Sequence, residues 1–388
     1  MVLKMIKKPI DRRRKAKDVP SNSNRVDQPK YRLIFESLKE GVLSGDYAQG
    51  TRMQSEAELV RRFGVSRMTV VKAFKELEKL GLVVRRVGSG TYVKQRPQQE
   101  NKLFGLLIPE LGQTEIFEPI CQGMAAFPLA SRHSLLWGNS ISLHRTKDQI
   151  AMELCEQYIA QRVAGVFFAP LELTPGVEQV NRKIATALDQ AGIPVVLLDR
   201  CFFPYPFRSR YDLVGIDNRR AAYGAVEHLV NAGARKIAFL GKPLSAPTVD
   251  ARIAGYREAL LAHGQSKAGD LVFRFDPRDE KQIRTILNHR PDAILCANDL
   301  TAANLMQTLI KIGVSIPQEV RLAGIDDVKY AGLLPIPLTT QHQPCLDIGR
   351  VAMSTILDRI QSPDLPTRDI SLNCSLVIRK SCGSPAES

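Results

Sequence analysis

The sequence predicts an α/β protein in two parts: a small N-terminal winged helix-turn-helix, then a larger two-lobed body of parallel sheets flanked by helices. Three observations predict it. Charge is segregated: the 388-residue chain carries a net +14, yet residues 1–100 hold 23 Lys+Arg against 11 Asp+Glu, while residues 101–388 hold 31 against 29. The N-terminal part has the pattern of three short helices and a glycine hairpin. Beyond Leu103, short continuous apolar runs alternate with amphipathic segments, the pattern of parallel strands covered on both faces.

Hydrophobic residues make up 44% and charged residues 24%, the balance of a soluble globular chain. No apolar run approaches the roughly 20 residues of a membrane helix. The start, MVLKMIKKPIDRRRKAKD, has neither the apolar stretch nor the cleavage site of a secretory signal. The seven cysteines are scattered, odd in number and never spaced Cys-x-x-Cys. Reduced thiols in a cytoplasm are therefore expected, with no structural metal and no disulfide framework. A near-neutral body with one basic end predicts that the basic end meets a polyanion. For residues 1–26, with nine basic and two acidic residues, a solubilising tail is the equal alternative.

From Tyr31, the residues Ile34, Leu38 and Val42 recur on one helical face, and Ser44-Gly45 ends that helix. Ser55-Glu56-Ala57-Glu58 is a capping box: the Ser55 hydroxyl accepts from the N–H three residues on, and Glu58 reaches back. Leu59, Val60 and Phe63 make the second helix apolar on one side, and Gly64 breaks it. A third helix runs from Ser66 to Leu80, with Val70, Phe74, Leu77 and Leu80 turned inward. Ser66, Arg67, Met68, Thr69 and Lys72 are left outward. Arg and Lys suit phosphates or guanine acceptors, and Thr and Met suit a thymine methyl or a backbone oxygen. LVVRRVGSGTYV then predicts a basic β-hairpin turning at Gly88-Ser89-Gly90, the wing beside a recognition helix.

These parts together resemble the GntR-type winged helix-turn-helix over residues 30–93. LSGDYAQG ends the first helix, QSEAEL opens the second, and GVSRMTV makes the turn into the third. The resemblance implies contacts to double-stranded DNA from Ser66, Arg67 and Thr69, with Ser55 nearby and the Gly88 backbone near the minor groove. Two departures stand out. Gln54 replaces the usual proline before Ser55, and Val71 replaces an arginine common one turn into the recognition helix, which leaves the base readout open.

KQRPQQEN, residues 94–101, is polar and marks an interdomain linker, which sets the winged helix-turn-helix at 27–95 and the linker at 96–102. Strands are then predicted at LFGLLIP, SLLWG, AGVFFA, IPVVLLD, DLVGID, KIAFLG, LVFRF, DAILCA and VRLAGID. One group runs up to Asp199 and a second starts at Leu213, which suggests two similar lobes. Ligands in open α/β sheets bind beyond the carboxyl ends of strands. Asp199, Asn298 and Asp326 close three of the strands, and Arg252 lies near the start of a helix. Carboxylates, an amide and a guanidinium around one cleft suit paired hydroxyls of a polyhydroxylated ligand, with Phe117 and Phe275 as aromatic covers. Asp and Asn at strand ends are equally turn formers or helix caps.

Residues 103–382 resemble the effector domain of LacI/GalR-type repressors, which is similar to periplasmic sugar-binding proteins. VGIDNRRAAYGAVEHLVNAGARKIAFLG, RIAGYREAL, PDAILCANDLTAANLMQTLIKIGVSIPQEVRLAGIDD and SLVIRKS carry the likeness. It implies that Arg252 clamps ligand hydroxyls, that Asn298 and Asp326 add polar contacts, and that Asp199 lies at the cleft edge. Thr248 and Gln343 match weaker positions. ELGQTEIFEPI departs from the common first-strand loop, which makes Glu115 and Phe117 less secure. The family's hinge helix is absent, and the fused arrangement resembles arabinose-repressor-like regulators. The implied division gives lobe 1 about 103–214 and 343–371, lobe 2 about 215–340 and 374–383, and tails at 1–26 and 384–388. Crossings fall near Val214, Thr340 and Asn373, and Ile348 to Ile360 forms a helix of the first lobe.

The expectation is a transcription regulator, a repressor in the form usual for the family, controlled by a small carbohydrate-like effector, with a nucleoside as the alternative. A homodimer on a two-fold operator and no membrane partner complete it. A transport solute-binding protein shares the body, but the basic winged helix counts against it. An enzyme has little support. The six histidines show no HExxH spacing, and no Gly-x-Ser-x-Gly or Walker A loop occurs.

Overall fold

The computed structural model describes residues 30–44, 46–48, 50–86, 88–94, 101–108, 111, 115–128, 133–138, 145–265 and 269–383. Expectations for the basic tail, for Gly45, for most of the linker, for part of the first-strand loop and for residues 384–388 lie outside these. The chain divides into two compact units, Met1–Gln99 and Glu100–Ser388. Among the described residues, no helix is long and apolar enough to cross a membrane.

The first unit holds α1 (Lys30–Ser44), α2 (Glu56–Phe63), α3 (Arg67–Lys79) and a hairpin of β1 (Val83–Arg86) and β2 (Gly90–Val93). Ile34, Leu38, Leu59, Val70, Phe74 and Leu77 meet in its core, as the helical spacing predicts. The Ser55–Glu58 capping box forms in both directions. Leu80, expected inside, is instead 56% exposed. The helix ends one residue earlier, and Gly81 adopts φ +66°. Leu82 then donates its N–H to the Leu77 carbonyl at 3.0 Å, and Gly81 to Glu78 at 2.9 Å. This Schellman closure turns Leu82 into the core in place of Leu80.

Among the described residues, the second unit contains two six-stranded sheets. The first has the order β13-β7-β6-β5-β3-β4, from β3 (Lys102–Leu107), β4 (His133–Leu136), β5 (Gly165–Phe168), β6 (Val195–Leu198), β7 (Asp212–Ile216) and β13 (Asp369–Leu372). The second has the order β14-β12-β11-β10-β8-β9, from β8 (Ile237–Gly241), β9 (Val272–Arg274), β10 (Ala293–Cys296), β11 (Arg321–Asp326), β12 (Thr339–His342) and β14 (Ser375–Val377). All pairings are parallel except β12 with β14.

Strand side chains alternate between faces, so each sheet needs two apolar covers. In the first sheet, Phe167, Val196 and Leu198 share a core with α4 (Phe117–Ala125) and α11 (Cys345–Gln361). Val166, Phe168 and Leu197 meet α5 (Lys147–Ala160) and α6 (Val177–Gln190) on the other face. The second sheet is covered by α7 (Asn218–Asn231) and α8 (Pro247–Ala262) on one side, and by α9 (Glu280–Asn288) and α10 (Asp299–Lys311) on the other. The helices α4 and α11 touch backbone to backbone. A Cβ on Gly349 would sit 1.9 Å from the Ile120 carbonyl oxygen, and one on Gly123 2.0 Å from that of Leu346.

One strand grouping needs correction. The DLVGID strand, read as the first of the second lobe, is β7 and pairs with β6 and β13 inside the first sheet. The segment from Asp199 to Tyr211 returns the chain without a helix, and so looks like a boundary. The chain passes between the sheets after Ile216, after His342, and between Leu372 and Ser375. The Thr339-Thr340 stretch beside the second crossing is a strand of the second sheet, paired with β11.

Candidate nucleic-acid interface and effector cleft

In the first unit, the Ser66 side chain caps α3 by accepting from the Thr69 N–H at 3.3 Å, and the two hydroxyls lie 2.8 Å apart. Arg67 and Met68 are therefore thrust outward on the first turn, with Met68 75% exposed. Lys72 follows one turn on, with Nζ 4.0 Å from the Tyr31 ring centroid. The Ser55 hydroxyl is engaged in the α2 cap, which limits what else it can hold. Gly88, at φ +74°, makes the hairpin turn that a side chain would strain. Glu56 was not singled out from sequence, yet it pairs with both Arg67, at 2.7 Å, and Arg85 of β1. That carboxylate ties the start of α3 to the wing. Arg52, Arg61, Arg67 and Arg85 line one groove of about 700 Å³ beside Gln54 and Glu56. Four guanidiniums around one carboxylate give the groove a cationic field suited to phosphates.

In the second unit, the polar residues at the strand ends converge. Arg252, on the second turn of α8, is 5% exposed. Its Nε donates to Asn218 Oδ1 at 2.7 Å, Nη1 donates to the Ala297 carbonyl, and Nη2 lies 3.7 Å from Asp326 Oδ1. The same Asp326 oxygen accepts from Gln343 Nε2 at 2.6 Å. Asp199 faces this group from the first lobe; burial raises its carboxyl, and the Arg200 and Arg252 charges oppose that rise in part. Burial also pushes Asp326 up, and Arg252 opposes it. Asp199 and Asp326 hold φ +66° and +135°, strained backbone of a kind that gathers at functional sites.

Asn298 caps α10, its Oδ1 accepting from the Thr301 N–H at 2.9 Å and hydroxyl at 2.7 Å. The strand-end alternative thus holds for its oxygen, which leaves only the amide nitrogen to face a ligand. Thr248 precedes Arg252 by one turn and so shares its helix face. Phe117, 2% exposed, lies under the Arg200 guanidinium at 5.6 Å. Phe275 packs with Phe273 at 5.5 Å on the core of the second lobe, and among the described residues no hydrogen bond or ring contact links it to Arg252. Glu115 accepts from the Tyr330 hydroxyl at 3.2 Å, across the gap between the lobes.

Sequence reasoning missed Arg200 and Glu172. Arg200 donates Nε to the Pro170 carbonyl at 2.9 Å and pairs with Glu172, whose second oxygen accepts from the Ala246 N–H at 3.0 Å. Burial would raise Glu172, but Arg200 and Ala246 outweigh it and hold the carboxyl below its ordinary value. Two buried acceptors, Asp199 Oδ1 and Gln343 Oε1, have no hydrogen-bond partner among the described residues. Buried acceptors without donors are costly, so a ligand that brings two donors relieves both.

Comparison with known proteins agrees with this division. Residues 30–93 match the family described as bacterial regulatory proteins, gntR family, and residues 226–382 match the periplasmic binding protein-like domain. The chain is 25% identical over 367 residues to the arabinose metabolism transcriptional repressor of Geobacillus stearothermophilus, covering 91% of this chain and 97% of that protein. It is 28% identical over 236 residues to the ribose operon repressor of Escherichia coli K12, covering 58% and 67%. The structure of the transcription regulator GntR from Chromobacterium violaceum aligns with a TM-score of 0.58 at 27% identity, over 73% of this chain and all of that one, 100%.

Proposed function

We propose that this chain, a gntR-type DNA-binding domain joined to a periplasmic-binding-protein-like body, is a transcriptional repressor whose hold on an operator is controlled by a sugar bound between the lobes. The observation that carries the effector is the pair of unpartnered buried acceptors, Asp199 Oδ1 and Gln343 Oε1, beside the Arg252 guanidinium. Acceptors and a donor fork facing one another across the cleft match vicinal hydroxyls, each of which donates and accepts. The relatives' names favour a pentose. Arg252, Asp199, Asp326 and Gln343 are assigned the hydroxyls, Asn298 and Thr248 further polar contacts, and Phe117 an apolar cover. Phe275 is left as a more distant lining residue.

On the other unit, Arg67, Met68, Thr69 and Lys72 are assigned to the major groove, Ser66 and Ser55 to phosphates, and the Gly88 turn to the minor groove. A homodimer would set two such heads on a two-fold site at a spacing fixed by its geometry. Bound sugar would favour one arrangement of the lobes, and its differential affinity for the two states sets the shift in DNA binding. No reaction is assigned, and the chain acts in the cytoplasm where its operator lies.

The test is a thermal-shift measurement of the full chain with L-arabinose and D-ribose, paired with salt-dependent retardation of a duplex selected from a random pool. A ligand that binds only the folded state at 100 times its Kd adds about 2.7 kcal/mol to stability. A shift with one sugar, and release of the duplex by the same sugar, is the expected result. Duplex binding unaffected by any sugar that shifts the melting temperature defeats the coupling.

A further inference from the structure

Helix α8 begins at Pro247 with Ala246 at its N-cap, a side chain that cannot cap, and no side-chain cap bond is made there. The carboxylate that meets the Ala246 N–H comes from the opposite lobe. It is Glu172, in the loop four residues beyond the end of β5, with Oε2 3.0 Å from that nitrogen. In an ordinary capping box a glutamate three residues into the helix accepts from the N-cap N–H. Here that acceptor is supplied across the gap, and its other oxygen is held by Arg200. Next to this contact the Leu173 N–H donates to the Leu244 carbonyl at 2.9 Å, again between lobes. Both leucines adopt left-handed backbone, φ +59° and +58°. Leu, which carries a Cβ and a bulky side chain, tolerates that region poorly, so each loop is held there by its surroundings.

The geometry points to Glu172 as a positioning residue: an inter-lobe cap that completes α8 only when the lobes close, and so couples closure to the helix that carries Thr248 and Arg252. On opening, the Ala246 N–H loses its acceptor and the Arg200–Glu172 pair becomes more hydrated. Closed and open states therefore differ in a charge-assisted hydrogen bond at the start of the ligand-facing helix. The inference rests on the proposed effector-driven closure, but its test is made on the unliganded chain, so a wrong effector would not affect the outcome.

Leu173 and Leu244 provide the probe. In the full-length chain, Leu173→Cys with Leu244→Cys is treated with a short bis-maleimide, and peptide mapping separates this cross-link from those of the seven native cysteines. Two variants each strip one half of the latch. Ala246→Pro removes only the N–H, at a residue whose φ of −60° a proline can adopt. Glu172→Ala removes the acceptor, and with it the ion pair to Arg200. The expected result is that each slows cross-linking by about tenfold, the range of a lost cap, with far-UV dichroism unchanged. A residue with a merely structural role would lower the melting temperature and leave the cross-linking rate alone. A folded Ala246→Pro chain that cross-links at the parent rate overturns the inference. If that variant does not fold, Glu172→Ala decides by the same criterion.

Discussion

Replacing Arg252 with alanine probes the cleft with a magnitude that can be worked out. The guanidinium is buried, bonded to Asn218 and to the Ala297 carbonyl, and 3.7 Å from Asp326. Truncation strands an amide oxygen, a carbonyl and a carboxylate, and breaking such a network costs about 3–5 kcal/mol. The cost must also vary with pH. Burial raises Asp326 and Asp199, and Arg252 opposes both rises, so its loss lifts both carboxyls further. A carboxyl whose folded pKa lies above its unfolded value of about 3.9 destabilises the fold when ionised, and acidification through that window relieves it. The deficit of the variant against the parent should therefore be smaller at about pH 5 than at about pH 7. Urea denaturation of the full chain at the two pH values measures it. A neutral-pH deficit below about 1 kcal/mol, or one that grows on acidification, refutes the placement of Arg252. Duplex binding should survive, because among the described residues the first unit's core draws on none beyond Val93.

Arg67→Ala should weaken operator binding by about 1–3 kcal/mol and flatten its salt dependence, leaving any sugar shift intact; retardation at two salt concentrations checks both. Asp212 has a fully buried side chain that accepts from Arg359 at 2.9 and 3.0 Å and from the Arg368 N–H at 2.8 Å. Burial pushes its carboxyl up, but these partners outweigh it and hold it low. Asp212→Asn should cost about 3–5 kcal/mol at neutral pH. That difference is present above about pH 4 and vanishes as the parent is acidified through the lowered folded value, which denaturation at both ends of the range would show. Gly349→Ala places a methyl against the Ile120 carbonyl and should cost about 1–3 kcal/mol, seen as a lower melting temperature; an unchanged melting curve would mean that α4 and α11 separate freely.

Local chemistry was legible in the sequence, and chemistry made by assembly was not. The Ser55 capping box, the Gly64 stop and the outward turn of Arg67 and Met68 depend on spacing alone, and the sequence carries spacing. Nine strand positions were legible because a buried parallel strand is an unbroken apolar run. The assignment of β7 failed because a helix-free return is indistinguishable from a boundary until its pairing is seen. Leu80 failed because one glycine decides which of two leucines turns inward. Arg252, Asp199 and Asp326 could be named from their strand-end and helix-start positions. Glu172 could not, since its partner lies 74 positions along the chain in the other lobe. Asn298 shows the limit from the other side: strand-end amides cap helices whether or not they meet a ligand.

The threefold passage between the sheets governs how the chain can be made. The edge strand β13 that completes the first sheet, and the helix α11 that shares the core of Phe167, Val196 and Leu198, both follow the whole of β8–β12 in the chain. During synthesis the early lobe must wait, with β7 unpaired on its outer side and one apolar face covered by α4 alone, until Leu372 has left the ribosome. A chain cut short after His342 would keep five strands of each sheet and finish neither, leaving exposed edges of the kind that seed aggregation.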